Sequence, residues 1–469
     1  MDHIKQIGST NMQQIDFSRP ISVHFIGIGG ISMSGLAEIL LKEGFRVSGS
    51  DARESALTKS LEDKGVQVFY GQSASNIIPP LDLVVYTAAI QEDNPELTEA
   101  RNQQIPCMSR ADLLGQIMKN YEMPIAISGT HGKTTTTSMI SEILMQQKLD
   151  PTLSVGGILK SIQGNIRIGS SPYFVTEACE YTNSFLSFFP KIAIILNIEE
   201  DHMDFFHDID DIRNSFRLFA ERLPADGTLI INSDIPSMET VTNGLSCRII
   251  TVGSSPDADY SARNIRYDEL ARPTYTLSHK GVETEISLGV TGEHNVYNSL
   301  AAIALADLLS IPLVETGKAL LSFSGTDRRF EYKGSLAGVT IIDDYAHHPT
   351  EIAATLKAAA NYPHRKIWCV FQPHTYTRTH AFLKDFAVSL SGADHVVLAD
   401  IYAAREKNTL GITSRDLLAE LEKLGTSACY FPNFDEIENF LLENCEPGDL
   451  LITMGAGDIV KLGENLLGI

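Results

Sequence analysis

The sequence holds one tryptophan and six cysteines in 469 residues, and the cysteines (Cys107, Cys179, Cys247, Cys369, Cys429, Cys445) never form a C-x-x-C pair. Neither a disulfide framework nor a thiolate metal site is expected, and a reducing cytoplasm fits. No run of about 18 apolar residues occurs, so no membrane span is expected, and the polar stretch from Met1 to Pro20 lacks the apolar core of a secretory leader. Positive charge is also scarce: 37 Lys and Arg against 59 Asp and Glu leave a formal charge of −22. A long polyanion needs a basic face that releases its counterions, so nucleic acid is excluded as a partner. Small anions are not, because helix N-termini and a few placed cations can hold a phosphate in an acidic protein.

What is present is an ordinary globular composition, 43% hydrophobic and 20% charged, at a length that favours about three domains. Short Val/Ile-rich runs alternate with longer amphipathic stretches, the pattern of βα units around parallel sheets. The expected fold class is α/β, with a Rossmann-like first block over 1–107, a central P-loop block with a mostly parallel sheet over 108–324, and a Rossmann-like third block over 325–469. Thr274 to Val290 alternates around His279-Lys280-Gly281 and predicts a hairpin.

Four segments carry chemistry. Gly129-Thr130-His131-Gly132-Lys133-Thr134-Thr135 lies between a buried strand and a helix, where small residues let backbone N–H groups face a phosphate and Lys133 reaches its terminal oxygens. Thr134 offers a hydroxyl to Mg²⁺. The first glycine of the general P-loop pattern is replaced by Ile127. Near the N-terminus, Gly27, Gly29 and Gly30 follow a strand, and Asp51 follows the next. The third glycine of G-x-G-x-x-G is Ser32, so either a nucleotide diphosphate site or a structural turn is consistent with it. Glu177 and Glu180 follow one strand of the central block, and Glu199, Glu200, Asp201, His202 and Asp204 another. Carboxyl ends of parallel strands carry ligand sites, so Glu177 and His202 are candidate metal ligands. Finally, Asp343 to Glu351, with the pair His347-His348, and Phe371-Gln-Pro-His374 each follow a strand of the third block. Arg328 and Arg329 lie at its start.

Taken together, His24-Phe-Ile-Gly-Ile-Gly-Gly, Gly-Thr-His-Gly-Lys-Thr-Thr, Asn197 to Asp204, Gly292 to Asn298, Arg328-Arg-Phe330, Asp343 to Glu351 and Phe371 to His374 resemble the Mur ligases, in order and over nearly the whole chain. The resemblance implies an ATP- and Mg²⁺-dependent enzyme of peptidoglycan synthesis. Its first domain would bind a UDP-sugar, its second ATP and its third an amino acid; the alanine-adding branch would take UDP-N-acetylmuramate and L-alanine through an acyl phosphate. It also implies roles. Gly129 to Thr135 cradle ATP, with Asn295, Asn298, Arg328, Arg329 and Asp344 around it. Thr134 and Glu177 hold one Mg²⁺ and His202 a second. Gly27, Gly29, Gly30, Asp51, Glu180 and Tyr345 face the substrates. Lys133, His347, His348 and Arg378 are catalytic, with His347 or His348 as base for the amine. No lysine occurs between Lys191 and Lys280, where many relatives of other specificity carry a carbamylated one. Thr375, His380 and Glu293 stand where basic residues are frequent. The rival readings are a salvage ligase acting on a recovered tripeptide, a nicotinamide-dependent dehydrogenase, and a non-catalytic nucleotide-binding regulator. A monomer or weak homodimer is expected.

Overall fold

The computed structural model describes residues 13–87, 89–404 and 406–469. The first sheet has five parallel strands, in spatial order Gln67–Tyr70, Arg46–Asp51, Ser22–Ile26, Leu83–Tyr86 and Cys107–Ser109. Its last strand lies across the boundary at 107 expected from the sequence. The order reverses beside Ser22–Ile26, so the turn Gly27–Gly30 that follows this strand opens at a topological switch point, where open α/β sheets bind ligands.

The central sheet has ten strands. Met123–Ser128 lies inside it, between Tyr173–Glu177 and Ile192–Ile195. These strands are covered on both faces, which is why they read as continuous apolar runs rather than as alternation; all four residues of Ile192–Ile195 are buried. Antiparallel hairpins close both edges, Thr152–Leu159 with Gly164–Arg167 and Pro273–His279 with Val282–Ser287. In the second, Lys280 and Gly281 both take positive φ, 50° and 75°, the twist-matching turn that the sequence predicts.

The third sheet runs Glu331–Leu336, Val339–Asp344, Leu450–Met454, Ile367–Phe371, His395–Leu398, Ala428–Tyr430, parallel except for its first strand. Glu331–Leu336 was not predicted: it is a half-exposed edge with Tyr332 facing out, so no apolar period marks it.

Packing divides the molecule unevenly. One continuous core joins Phe25, Leu36 and Leu40 of the first block to Phe174, Phe185 and Phe216 of the second, through Leu113, Leu114 and Ile117 of the helix Arg110–Met118. That helix packs so closely that a Cβ on Gly115 would lie 1.9 Å from the Ser187 carbonyl oxygen. The third block keeps cores of its own.

Candidate active site

The strand Met123–Ser128 delivers the chain into Gly129–Gly132, and the helix Lys133–Gln146 begins at once. Gly132 is its N-cap at φ 82°, and a Cβ there would sit 2.5 Å from Asn298 Oδ1. Asn298 therefore braces the loop from the neighbouring helix His294–Leu308, itself held by Asn295, whose Oδ1 accepts from Asn298 Nδ2 at 2.9 Å. From the other side Asn197 accepts from the His131 N–H at 2.7 Å and donates to the His131 carbonyl at 3.0 Å. The loop is thus fixed by two amides.

Lys133 folds back over this loop. Its Nζ donates to the Gly129 carbonyl, to the Thr130 carbonyl at 2.9 Å and to Glu180 Oε2 at 2.9 Å. Burial disfavours its charge, but the Glu180 carboxylate, with Cys179 and Glu177 beside it, outweighs burial and holds its pKa above the usual lysine value. Glu180, expected to face the substrate, is turned to Lys133 and, at 3.7 Å, to His202 Nε2. His202 stacks on Tyr181 at 4.5 Å, and burial depresses its pKa. Thr134 Oγ1 donates to Glu177 Oε2 at 3.2 Å, and the Gly156 N–H to Glu177 Oε1 at 2.5 Å. Burial raises the Glu177 pKa. A hydroxyl and a carboxylate beside a phosphate loop are the hard oxygen donors that Mg²⁺ takes, and their chemistry fits it. His202 belongs to the separate Lys133–Glu180 cluster.

The third block meets this site through polar contacts. Glu351 Oε1 lies 3.1 Å from His131 Nδ1, and its Oε2 accepts the His347 N–H at 3.0 Å. Glu199 Oε2 is 3.5 Å from His131 Nε2 and accepts from Thr350 Oγ1 at 2.7 Å. Burial would keep His131 neutral, but Glu351 and Glu199 prevail and lift its pKa to about 9. Asp201 Oδ1 accepts two bonds from Arg378, at 3.0 and 3.2 Å, which overcome burial and hold its carboxyl well below the usual range. The ligand atoms of His131, Glu199 and His348 fall within 4.8 Å of one another, but these groups are committed to the contacts just given and to those of His348 below.

The two candidate bases differ. His348 Nε2 donates to the Glu200 carbonyl at 2.9 Å, and its Nδ1 accepts the Thr350 N–H at 3.3 Å as N-cap of the helix Pro349–Ala359. Neither nitrogen retains a lone pair for an amine proton. His347 Nδ1 donates to the Tyr345 carbonyl at 2.9 Å, which leaves its Nε2 lone pair available. Burial lowers its pKa to about 4, so the ring is neutral at physiological pH.

A cavity of about 760 Å³ opens between the second and third blocks, lined by His131, Gly132, Thr135, Asn295 and Asn298 on one side and by Arg329, Asp344 and Glu351 on the other. Burial raises the Asp344 pKa to about 6; its oxygens accept from the N–H groups of Ala346 and Phe330. Arg328, expected here, is elsewhere: its guanidinium donates to Asp343 at 2.9 Å and to the carbonyls of Gly455 and Gly457, inside the third block. Of the two, Arg329 lines the cavity. Both guanidiniums lie over the Tyr345 ring, at 4.9 and 5.1 Å.

In the first block Asp51 Oδ2 accepts the Gly29 N–H at 2.9 Å and would meet a Cβ on Gly29 at 2.8 Å. This carboxylate closes the turn and takes up the Gly29 donor. Gly27 holds φ 84° at the start of the turn, and Gly30 is the N-cap of the helix Ile31–Lys42. Asn197, Glu199, Asp201 and Glu351 lie in segments read from the sequence but received no role of their own there; nothing in the sequence sets them apart from Glu200 and Asp204.

Known proteins are similar to this chain in sequence and fold. The family model described as "Mur ligase family, catalytic domain" matches residues 22–122, "Mur ligase middle domain" residues 127–306, and "Mur ligase, glutamate ligase domain" residues 328–457. The chain is 60% identical over 458 residues to a UDP-N-acetylmuramate–L-alanine ligase of Lachnospira eligens, covering 97% of this chain and all of that one. A protein of that same name from Agathobacter rectalis is 60% identical over 457 residues, with 97% and 100% covered. Among solved structures, the UDP-N-acetylmuramate-alanine ligase of Thermotoga maritima superposes with TM-score 0.79 at 30% identity over 96% of this chain and 98% of that one. A murein peptide ligase of Psychrobacter arcticus gives 0.69 at 25% identity, with the same coverage. With a phosphate loop, a braced lysine and an interdomain cavity in place, and three family models matched in order, the chain belongs to the Mur ligase family.

Proposed function

We propose that the chain joins the carboxylate of UDP-N-acetylmuramate to the amine of L-alanine with hydrolysis of ATP to ADP and phosphate, a step of peptidoglycan synthesis. The observation that carries this reading is the cavity in which the phosphate loop faces Arg329 and Asp344 of the third block, a place for a triphosphate with an acceptor amine close by. Identity of 60% to alanine ligases favours L-alanine over a peptide acceptor, as does the order among solved structures, 30% for the Thermotoga alanine ligase and 25% for the Psychrobacter murein peptide ligase. All six cysteines stand as free thiols, in keeping with the cytoplasm.

In this reading residues 1–107 hold the sugar nucleotide, 108–324 hold ATP and 325–469 the amino acid. A carboxylate oxygen attacks the γ-phosphorus and ADP leaves. The amine then attacks the acyl carbon of the mixed anhydride, and phosphate leaves. Lys133 meets the charge that grows on the transferred phosphoryl oxygens, its own charge kept by Glu180. Thr134 and Glu177 would hold Mg²⁺, which neutralises phosphate charge when bound. His347 Nε2 takes the proton of the attacking amine, Arg378 is placed for the amino-acid carboxylate, and His348 serves as a cap. The test is phosphate release from ATP with UDP-N-acetylmuramate, with and without L-alanine, in wild type and Lys133→Ala. Release that does not require both substrates, or that survives the substitution, refutes the proposal.

A further inference from the structure

The strand Thr152–Leu159 pairs with Tyr173–Glu177 as far as Ser154, and its pairing with Gly164–Arg167 is interrupted between Ser154 and Leu159. Backbone groups released from a ladder need other partners, and here they find two kinds. The Gly156 N–H donates to Glu177 Oε1 at 2.5 Å, on the carboxylate whose other oxygen accepts from Thr134. The Ile158 carbonyl accepts the Asp327 N–H at 3.3 Å, from the segment that joins the second and third blocks. Gly157 lies between the two: a Cβ there would stand 3.1 Å from Thr134 Cγ2 and 3.2 Å from Thr326 Cγ2. Gly156 has no room for a Cβ beside the Glu177 carboxylate, so close approach demands both glycines.

The joining segment is tied on the same side. Thr326 is buried, and its hydroxyl donates to Ser138 Oγ at 3.0 Å, one helical turn beyond Thr134. Lys160 begins the short turn after the strand and places its half-exposed Nζ 3.4 Å from Glu331 Oε1 and 3.8 Å from Asp327 Oδ1. Glu331 is the first residue of the edge strand of the third sheet. Residues 156–160 thus touch both candidate metal ligands on one side, and the joining segment and third block on the other. The base of the hairpin is anchored to the first block, where Ile166 fills the notch left by Gly35 and Lys42 Nζ donates to the carbonyls of Ile168 and Gly169 at 3.3 and 3.0 Å. With that base fixed, the interrupted stretch is the part that can follow the third block.

We propose that residues 155–160 form a strap that positions Glu177 and Thr134 for Mg²⁺ when the third block is seated, with Lys160 and Asp327 as the positioning pair. This rests on the ligase reading, which gives Thr134 and Glu177 to the metal, and adds a route by which the third block reaches them. A metal-binding carboxylate is aimed by the hydrogen bond on its other oxygen, and the donor of that bond is Gly156. When the joining segment withdraws, Ile158 and Lys160 lose these partners and the Gly156 N–H is no longer held against Glu177. Metal affinity thereby follows the seating of the third block.

The experiment measures calorimetric binding of adenylyl imidodiphosphate, a non-hydrolysable ATP analogue, in Mg²⁺ and in EDTA. It compares wild type, Lys160→Gln, Lys160→Arg, Asp327→Asn and the double variant Lys160→Gln/Asp327→Asn. The gain in affinity that Mg²⁺ confers is expected to fall roughly two- to fivefold in Lys160→Gln, the range of a half-exposed ion pair, with binding in EDTA unchanged. Lys160→Arg keeps the wild-type gain. Asp327→Asn lowers it in the same direction, and the double variant loses no more than Lys160→Gln alone. The sign is diagnostic, because deleting a cation near Mg²⁺ would by Coulomb's law alone strengthen metal-dependent binding. Opposite effects of Lys160→Gln and Asp327→Asn therefore overturn the proposal in favour of direct electrostatics. Equal loss in Mg²⁺ and in EDTA overturns it in favour of a phosphate contact from Lys160. An unchanged gain in every variant overturns it in favour of a purely structural hairpin. If Mg²⁺ confers no gain on wild type, the metal assignment of the ligase reading fails instead.

Discussion

His131 should be an imidazolium at working pH, and this can be measured directly. The ring sits between Glu199 at 3.5 Å and Glu351 at 3.1 Å, with only 13% of its side chain exposed. Its pKa rises from 6.5 to about 9, which at about 1.4 kcal/mol per pH unit corresponds to about 3 kcal/mol. Because the folded value lies above the unfolded one, this stabilisation is complete below about pH 6.5 and is lost as pH climbs through 9. Glu351 belongs to the third block, so the energy is also a clamp between blocks. NMR titration of ring-labelled histidines, with His131→Gln to identify the resonance, should give a midpoint near 9. Glu351→Gln should lower it by about one unit or more, since the nearer carboxylate becomes neutral. Denaturant midpoints should fall between pH 6.5 and 9 in wild type and stay flatter in His131→Gln. A midpoint at or below 6.5 with both glutamates intact would refute the reasoning.

Gly132→Ala forces a residue with a Cβ to φ 82° against Asn298; a strain of about 1–2 kcal/mol should raise KM for ATP at least about tenfold, with sugar-nucleotide affinity unchanged by calorimetry. His347→Gln should slow amide formation by roughly 10²- to 10⁴-fold while rapid-quench assays still detect the acyl phosphate. His348→Ala should instead lower stability by about 1 kcal/mol through the lost cap, read from denaturant unfolding, with a smaller effect on rate. Asp201 has a depressed pKa, so its stabilisation is present above pH 3.8 and is lost as pH falls. Asp201→Asn should cost on the order of 3 kcal/mol at neutral pH and flatten the acid limb of the unfolding profile.

The sheets were readable because both-face burial turns strands such as Ile192–Ile195 into unbroken apolar runs, and because Lys280-Gly281 can adopt the hairpin turn. Glu331–Leu336 was not, since an exposed edge needs no apolar face. The strand–loop–helix placement of Gly129 to Lys133 was legible because glycines and a lysine between strand and helix have few other uses. Partner choice was not legible. Nothing in Arg328-Arg329 says that the first turns inward to Asp343 while the second faces the cavity; the left-handed φ of 62° at Arg328, a tertiary outcome, goes with the split. Likewise nothing in the sequence sets Glu180 or Glu351 apart from the other acids, and only the fold makes one the partner of Lys133 and the other the partner of His131.

The shared core around the helix Arg110–Met118 has a mechanical consequence. A hydrophobic interior cannot be opened and shut at each turnover, whereas hydrogen bonds and ion pairs such as those of His131, Asp201 and Glu199 exchange readily with water. Movement between substrate-binding steps is therefore expected where the third block meets the other two, rather than between the first and the second. In the proposed reading the sugar nucleotide and ATP share the larger body, and the amino acid approaches on the smaller one.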